Sequence, residues 1–410
     1  MMKAINILIF VLIGLSANAQ TAYIANWGNS TLNIIDVSTN TVTDSITGIS
    51  GANGISVSLD GTKVYVASND GSVIAINTAT NIITSTIPSA DCWGIVVSPD
   101  GSKVYVANSD SNSVSVINTS TDTILAIIHV GVDAAGVCVS PDGTRVYVTN
   151  YNYLDTGKVS VINTSNFSVV DSILVGNGPI GICITPDGSK LYVANYGNHS
   201  VSVINTATDT ISSTIVVGAY PYGICISPDG SRVYVANYSS STLSVINTAS
   251  DTVLATISIG IGPMGVSVSP DGSKVYVENE FSNSVSVINT TTNTVSATIY
   301  VGNRPLGLGN FISIYPVIST GLISPCIKSP NISLYPNPTF GTFTLSYSLL
   351  QSGISNYELS IMDVLGRMVY TQVITNPNQT TINVSQLSNG VYFYQLTNNK
   401  ETYRGKFIKQ

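Results

Sequence analysis

Residues Pro179–Gly218, PIGICITPDGSKLYVANYGNHSVSVINTATDTISSTIVVG, decide the fold, because variants of this stretch recur from about residue 21 to about residue 315. Each copy contains a YVAN-like tetrapeptide, and successive tetrapeptides are 40–45 residues apart. They begin at Tyr23, Tyr65, Tyr105, Tyr147, Tyr192, Tyr234 and Tyr276. A repeat of this length, made of short extended runs, is typical of a β-propeller or a solenoid.

One repeat unit contains four extended runs separated by turns. The first run, GICITP from Gly181, is apolar almost throughout, which is consistent with a strand covered on both faces. The Asp187-Gly188 pair after it predicts a hairpin with a type I′ turn, which needs positive φ at both central residues. The fourth run alternates Ser and Thr with Ile and Val, as expected for an outer edge. A four-stranded antiparallel sheet repeated around an axis is a propeller blade.

The phase of the repeat predicts how the ring closes. Six Asp-Gly turns accompany seven YVAN-type strands, so the chain begins inside a blade, at its second strand from Thr21 onward. It ends with a lone first strand at Leu306–Tyr315. Pairing these two ends predicts an all-β fold: a seven-bladed β-propeller over residues 21–315, fastened by strands from both chain ends.

The N-terminal residues 1–19 have the pattern of a secretory signal peptide. Lys3 precedes an apolar run from Ile5 to Leu15, and Ala17-Asn18-Ala19 provides a small-x-small cleavage site. The alternative is a buried N-terminal strand, which fits the lysine and the cleavage site poorly. No later stretch reaches 18 uninterrupted apolar residues, so we expect no transmembrane segment after cleavage.

Composition and charge argue against a nucleic-acid partner. The chain has a net charge of −7, and only 9% of its residues are charged. Most basic residues of the repeat region occupy one repeat position, two residues past an Asp-Gly turn, which predicts a spaced ring rather than a basic groove. These residues are Lys63, Lys103, Arg145, Lys190, Arg232 and Lys274.

The five cysteines do not form a disulfide pattern. Cys138, Cys183 and Cys225 occupy the same slot of three successive repeats, where other repeats have Ser or Val. Such a slot is a small packing position, and equivalent slots of neighbouring blades are too far apart to bridge. Cys92 and Cys326 receive no assigned role.

The repeat motifs also carry a family resemblance. YVAN, the YVTN at Tyr147–Asn150, SPDG, SVSVINT and VGxxPxG recur in the same order across residues 21–315. Together they resemble the YVTN family of β-propellers, which are related to bacterial and archaeal surface-layer proteins. The resemblance implies a seven-bladed propeller at the cell surface, but no particular chemistry.

The C-terminal residues differ in pattern from the repeats. Residues 316–330 are rich in Pro, Gly and Ser and indicate a linker, and residues 331–410 contain the strands of a small Ig-like sandwich. YPNP, DVLGR, LSNGVY and GKFIK in this segment resemble the type A C-terminal sorting domain of type IX secretion substrates. An ordinary Ig-like accessory module is the alternative. The motif residues are Tyr335, Pro336, Asn337, Pro338, Gly366, Gly390, Tyr392, Gly405 and Lys406.

The sorting-domain resemblance implies a route and a location. The signal peptide would direct export to the periplasm, and the type IX machinery would carry the protein across the outer membrane. Removal of the domain would then leave a secreted or surface-attached protein.

Strand order places the loops on two faces of the propeller. The Asp-Gly and NTxT turns lie on one face, which we call the turn face. The loops after each YVAN-type strand and the VGxxPxG connections lie on the other, which we call the variable face, because its residues differ between repeats. Stacking aromatics with scattered polar groups would suit a glycan or a peptide. The alternative is that these rings pack between blades or rim the channel. The candidate ligand-binding residues are Trp27, Asp91, Trp93, Asp133, Tyr196, Tyr220, Tyr222, Tyr238 and Arg304.

Signals for catalysis are weak. His129 and His199 have no Asp, Glu or Cys around them at metal-ligand spacing, so we expect no metal site and no cofactor. Asp91, Asp133 and Arg304 are the nearest approach to a catalytic set at the channel mouth. No GxSxG, HExxH or Gly-rich phosphate loop occurs.

A further pattern predicts modification. Asp followed by Ser or Thr and then an aliphatic residue resembles the O-glycosylation sites of bacteria that use type IX secretion. The alternative is that Asp simply begins the turn into the fourth strand. The copies begin at Asp44, Asp122, Asp171, Asp209 and Asp251.

The sequence therefore favours a secreted or cell-surface binding or scaffold protein over an enzyme. Its variable face would present loops to a surface polysaccharide, matrix or protein. Two alternatives stay open: a hydrolase or lactonase with its site at the channel mouth, and a purely structural surface-layer component. The sequence leaves the oligomeric state undetermined.

Overall fold

The computed structural model describes residues 20–153, 155–313, 332–335, 339, 341–347, 357–363, 367–374, 379–397 and 402–409. The chain divides into two compact units, Met1–Ser319 and Thr320–Gln410. The expected signal peptide and linker lie outside the described residues.

The first unit is built from antiparallel sheets whose strands follow one another in chain order. The first sheet has three strands, β1 (Thr21–Asn26), β2 (Thr31–Asp36) and β3 (Thr41–Thr47). The second sheet has four strands, β4 (Ala52–Val57), β5 (Lys63–Ser68), β6 (Ser72–Asn77) and β7 (Ile82–Pro88). The third has β8 (Cys92–Val97), β9 (Lys103–Asn108), β10 (Ser113–Asn118) and β11 (Thr123–His129).

Four more four-stranded sheets follow in the same order. The fourth sheet has β12 (Ala134–Val139), β13 (Arg145–Asn150), β14 (Thr156–Asn163) and β15 (Ser168–Asn177). The fifth has β16 (Pro179–Ile184), β17 (Lys190–Asn195), β18 (Ser200–Asn205) and β19 (Thr210–Val216). The sixth has β20 (Pro221–Ile226), β21 (Arg232–Asn237), β22 (Thr242–Asn247) and β23 (Thr252–Ser258). The seventh has β24 (Pro263–Val268), β25 (Lys274–Asn279), β26 (Ser284–Asn289) and β27 (Thr294–Tyr300).

Burial within each sheet follows the sequence pattern. The YVAN-type strands are buried along almost their whole length, and the tyrosines that open them are among the largest fully buried side chains. The fourth strands are exposed except near their ends, as in β19. The hydrophobic clusters combine residues from consecutive sheets, so the core lies between sheets packed face to face. This arrangement is a propeller-like all-β fold.

The hairpin turns lie where the sequence predicts them, but their type differs. In the Thr185–Gly188 turn, the Gly188 amide donates to the Thr185 carbonyl at 2.8 Å, and only Gly188 has positive φ, at 75°. Pro186 favours the first central position of a type I turn, and the Asp187 carboxylate accepts from the Ser189 amide at 3.0 Å. The turn is therefore not type I′: its central residues are Pro186 and Asp187 rather than Asp187 and Gly188, and Asp187 lacks the positive φ that type I′ requires.

The segment of residues 305–313 follows β27 and contacts two strands. The Phe311 carbonyl accepts from the Tyr23 amide of β1 at 2.8 Å, and the Leu308 carbonyl accepts from the Ile55 amide of β4 at 3.1 Å. The predicted strand Leu306–Tyr315 is present here only as isolated bridges, and its last two residues lie outside the described part. Because the segment divides its hydrogen bonds between two neighbours, neither pairing becomes a regular ladder.

Two sheets form the C-terminal unit. The first sheet has three strands, β28 (Ile332–Tyr335), β29 (Thr342–Tyr347) and β32 (Gln379–Asn383). The second has four, β30 (Tyr357–Met362), β31 (Met368–Ile374), β33 (Gly390–Thr397) and β34 (Thr402–Lys409). Phe343 of the first sheet and Phe407 of the second pack at 4.7 Å between ring centroids in a shared apolar core.

Among the described residues, helical structure comprises two 3-10 turns, Trp27–Asn29 and Tyr196–Asn198. None of the described helices is long and apolar enough to cross a membrane.

Candidate functional site

The innermost strands of the sheets leave only a narrow space between them. A cavity of about 40 Å³ there is lined by glycines and aliphatic residues, including Gly94, Gly136, Gly181 and Gly223. The glycines are required by close approach: a Cβ atom at Gly181 would lie 2.3 Å from the Tyr222 carbonyl oxygen. This volume has room for a few water molecules and not for an organic substrate.

An apolar cluster occupies the variable-face ends of the inner strands. Its buried members are Ile180, Tyr222, Met264 and Leu308. Tyr222 is 8% exposed, and burial raises the pKa of its hydroxyl. Among the candidate residues, Tyr222 therefore belongs to this packing, and Trp93, Tyr196 and Tyr238 lie against it. A ligand on this face would lie over the cluster in a shallow site.

Aromatic rings continue outward from this cluster in an unbroken series, which we call the aromatic row. Neighbouring ring centroids along it are 4.7–6.4 Å apart. Tyr153 and Phe281 are the most exposed members, at 45% and 55%. The row comprises Tyr153, Tyr151, Tyr196, Tyr220, Tyr222, Tyr238 and Phe281. Tyr153 was not among the candidate residues, because it lies in the longest YVAN-following loop, where the repeats do not align.

A charged cluster continues from the Phe281 end of the row. The Arg304 guanidinium lies 4.7 Å from the Trp27 ring centroid and 5.9 Å from that of Phe281. Its Nε donates to the Glu280 Oε1 at 2.7 Å, and the Tyr238 hydroxyl donates to the Glu280 Oε2 at 3.1 Å. Burial, reinforced by the charge of Glu280, raises the pKa of Tyr238 to about 12.

Glu280 was not among the candidate residues, although it is 3% exposed and holds Arg304 in place. The available signal was a carboxylate where the other YVAN-following loops have Trp, Tyr, Ser or Asn. Arg304 thus forms its ion pair with Glu280 and not with Asp91 or Asp133. The structure does not bring the suggested catalytic set together.

Asp91 and Asp133 lie on other connections of the same face. Burial and the nearby Asp110 raise the pKa of Asp91, and a hydrogen bond from Trp93 opposes that rise. Asp133 is exposed, and its carbonyl accepts from the Tyr151 amide at 2.8 Å. Asp133 therefore contacts the aromatic row at Tyr151 through its backbone.

The two histidines serve local structure. His129 is exposed on β11, and the Nδ1 of His199 accepts from the Tyr220 amide at 3.0 Å. Across the described residues, no group of three or more His, Cys, Asp or Glu side chains could hold a metal ion. None of the four described cysteines forms a disulfide.

The turn face contains repeated contacts between sheets. The Lys190 Nζ donates to the Asp251 carboxylate of the next sheet at 2.8 Å, and the Tyr192 hydroxyl donates to the same carboxylate at 2.7 Å. Lys63 and Arg145 make equivalent ion pairs with Asp122 and Asp209. We call this arrangement the latch.

The sorting-motif residues lie in the C-terminal unit where they are described. Gly390 begins β33, and the Tyr392 hydroxyl donates to the Ser388 carbonyl at 2.8 Å. Gly405 and Lys406 lie in β34, and Tyr335 ends β28. Pro336, Asn337, Pro338 and Gly366 lie outside the described residues.

Comparison with known proteins finds family matches for two parts of the chain. Residues 333–410 match the secretion system C-terminal sorting domain, and residues 6–134 match a domain of unknown function, DUF5074. No curated protein matches the chain significantly. The C-terminal residues thus carry a sorting domain of the type IX system, which indicates secretion to the cell surface or the extracellular space.

Two solved structures share the fold. Hydrazine synthase of Kuenenia stuttgartiensis is 22% identical over 62% of this chain and 88% of its own, with a TM-score of 0.57. A functionally unknown protein from Desulfotomaculum acetoxidans DSM 771 is 16% identical over 71% of this chain and 100% of its own, with a TM-score of 0.60. At these identities the likeness shows the fold alone.

Proposed function

We propose that this protein is a secreted or cell-surface binding module that presents the variable face of a YVTN-type propeller to a partner. The aromatic row carries this proposal. It places exposed rings of Tyr153 and Phe281 on loops, while the cluster around Tyr222 fixes their positions from below. Rigid aromatic side chains above a packed base supply contact area at low entropic cost, which favours binding.

The propeller itself we propose to have seven blades, spanning residues 21–315. The first sheet has three strands, and the 305–313 segment lies where its innermost strand would be, with its Phe311 carbonyl hydrogen-bonded to β1. Counting the segment with that sheet gives seven four-stranded units. Residues 316–330 would then link the propeller to the sorting domain at residues 331–410.

The contacts of the polar groups support binding over hydrolysis. Arg304 is paired with Glu280, Asp91 and Asp133 lie on separate connections, and the apolar cluster packs at the variable-face ends of the inner strands. A hydrolytic site would need these groups to converge on one substrate position.

Sedimentation of the purified full-length protein with isolated cell envelopes tests the proposal. We expect saturable binding that weakens at least about tenfold in a Tyr153→Ser/Phe281→Ser variant, because exposed aromatic anchors dominate interface energies. Tyr300→Ser is the matched control, since Tyr300 is an aromatic residue 79% exposed on the outer strand β27. Equal binding by both variants and the unaltered protein would reject the variable face as the binding surface and favour a purely structural role.

A further inference from the structure

The variable face has an unbalanced charge. Its loops and connections contain six acidic residues and one basic residue, Arg304. Lys158, exposed near the variable-face end of β14 opposite Asn150, adds one positive charge. Since Glu280 neutralises Arg304, the rest of the face carries an excess of negative charge from five aspartates. They are Asp70, Asp91, Asp110, Asp133 and Asp155.

These aspartates form no ion pairs within the part of the chain that the structure describes. Asp91 is half-buried and the other four are exposed. The turn face differs, because Asp122, Asp209 and Asp251 each pair with a basic side chain of the preceding sheet. Other described turn-face aspartates, such as Asp187 and Asp229, form no ion pair but accept hydrogen bonds from Thr185 and Ser227. On the variable face, none of the five aspartates has a basic partner among the described residues.

Two of these aspartates lie beside the aromatic row or the apolar cluster beneath it. Trp93, which packs on the apolar cluster, lies two residues from Asp91, and its interaction with the Asp91 carboxyl lowers the pKa of that group against the larger effect of burial. Asp133 accepts at its carbonyl from the amide of Tyr151, and its charge contributes to raising the pKa of the Tyr151 hydroxyl. A partner lying along the row would thus contact rings and carboxylates together.

The geometry of the rings argues against a carbohydrate. Arg304 covers one face of Trp27, and Tyr151 and Tyr153 stack on each other with 23° between their planes. The remaining members meet neighbours in tilted or edge-on contacts, so open flat faces for sugar stacking are few. An acidic polysaccharide would also be repelled by the five aspartates, because like charges facing each other across an interface cost binding energy.

We propose that the variable face binds an extended, cationic peptide segment of a protein partner. The aliphatic stems of its Lys or Arg side chains lie on ring edges of the aromatic row, and their charged ends pair with the aspartates. This inference rests on the proposed binding function and names the chemistry of its partner.

Fluorescence anisotropy of the full-length protein with three labelled peptides tests this assignment. The probes are an alternating Lys-Gly decapeptide and its Glu-Gly and Ser-Gly counterparts. We expect the Lys-Gly peptide alone to bind at low salt, and raising the salt from about 50 mM to about 500 mM to weaken its binding, because the paired groups are exposed.

Two variants with the same change in charge test whether the Lys-Gly peptide binds at the variable face. Asp91→Asn/Asp133→Asn should weaken Lys-Gly binding about fivefold, at a few tenths of a kcal/mol or more for each exposed pair. Asp44→Asn/Asp171→Asn makes the same charge change on exposed outer-strand residues and should leave binding within about twofold. Equal effects of the two variants, or binding of the Glu-Gly peptide, would overturn the assignment.

Competition in the envelope assay separates this inference from the proposed function. If envelope binding depends on Tyr153 and Phe281 and the Lys-Gly peptide displaces it, both stand. If the rings matter but neutral or acidic oligosaccharides displace the protein instead, the binding function stands and the cationic partner is rejected. If the rings do not matter, both are rejected.

Discussion

Two junctions between sheets differ in how they are held. Between the fifth and sixth sheets, Gly181 lies so close to the Tyr222 carbonyl that a Cβ atom would not fit. The third residue of the YVAN tetrapeptide in the fifth sheet is Ala194, and Lys190 forms the latch ion pair with Asp251. Between the seventh sheet and the 305–313 segment, Gly265 lies equally close to the Gly307 carbonyl. Glu278 is the residue at the repeat position that Ala194 holds in the fifth sheet.

The latch also changes at this second junction. The Lys274 Nζ donates to the Val37 carbonyl at 2.7 Å and to the Asn40 side chain at 3.2 Å, so a neutral amide replaces the carboxylate of Asp251. Arg304 and Glu280 add an ion pair on the variable face. An amide also occupies this latch position at Asn293, which Arg232 contacts at the junction of the sixth and seventh sheets. The junction at the 305–313 segment therefore differs from the regular junction mainly in Glu278, a larger acidic residue where the strands approach, and in the Arg304–Glu280 pair.

Glu278 is the most unusual of these differences. It is fully buried, it forms no ion pair within the described residues, and burial raises the pKa of its carboxyl well above the usual value. Thr149 occupies the same repeat position in the fourth sheet, where its hydroxyl donates to the Ile180 carbonyl at 2.8 Å. A larger acidic group in this slot lowers stability unless it holds a proton.

The largest effect is expected where the 305–313 segment is anchored. Phe311→Ala should lower the free energy of unfolding by about 3–5 kcal/mol, because Phe311 is fully buried in the core beside β1 and its removal leaves a cavity. Urea denaturation of the full-length protein measures this, with Tyr300→Ala on an exposed outer strand as control. Similar midpoints for the two variants would contradict an anchoring role for the segment.

A substitution at the junction of the fifth and sixth sheets should lower folding stability by a smaller amount. Asp251→Ala should cost about 2 kcal/mol, because the hydroxyl of the buried Tyr192 loses its acceptor and Lys190 retains only the Thr248 carbonyl. Thermal melts would detect the loss, and binding to cell envelopes should be unchanged because the latch lies on the turn face. Asp171→Ala removes an exposed aspartate and should leave the melting temperature within error.

Replacing Glu278 should stabilise the protein, whereas the two preceding substitutions should destabilise it. Glu278→Ala should raise stability at neutral pH by about 1–2 kcal/mol, because it removes an unpaired buried polar group and introduces the alanine that five of the other six YVAN-type strands have at this position. The folded protein holds this proton at pH values where the unfolded chain has lost it. Stability of the unaltered protein therefore falls as pH rises above the ordinary glutamate value of 4.5.

The advantage of Glu278→Ala should accordingly grow as pH rises from about 4.5, in melts recorded across that range. Glu278→Gln serves as control: it removes the titration but keeps a buried polar group. An alanine variant with the same advantage at every pH would show that cavity or packing effects dominate.

The smallest expected effect is a difference in stability cost between substitutions of two lysines at the same repeat position. Lys63 donates to Asp122 at 2.9 Å, whereas the turn position facing Lys103 is Phe167, which has no carboxylate. Lys63→Met should cost about 0.5 kcal/mol and Lys103→Met close to nothing, since partly exposed ion pairs contribute little. Equal costs in a denaturation series would mean that the ion pair itself contributes nothing to the latch.

Local chemistry explains how much of the fold was predictable. Alternation of polar and apolar residues and the Asp-Gly turns placed strands such as β16 and β17, and the sorting motifs marked the C-terminal domain. These features depend on residues only a few positions apart, which is the range over which turn geometry and strand period act.

The candidate site was less predictable because its contacts join distant residues. Glu280 and Arg304 are 24 positions apart, and nothing local indicates that they pair. Tyr222 was a candidate for ligand contact, yet it is buried because the inner strands converge around it. The turn type at Asp187 also differs from the prediction, since the hydrogen bond from Gly188 to Thr185 centres the turn on Pro186 and Asp187, one residue before the predicted Asp187-Gly188 pair.

The sequence by itself determined the repeat, the strands within it and the two loop faces, because each follows from short-range patterns copied along the chain. Tertiary structure alone decided which rings join into the aromatic row, which aspartates stay unpaired, and where Glu278 is enclosed. Those outcomes depend on how consecutive sheets pack, and packing brings together residues that no local pattern relates.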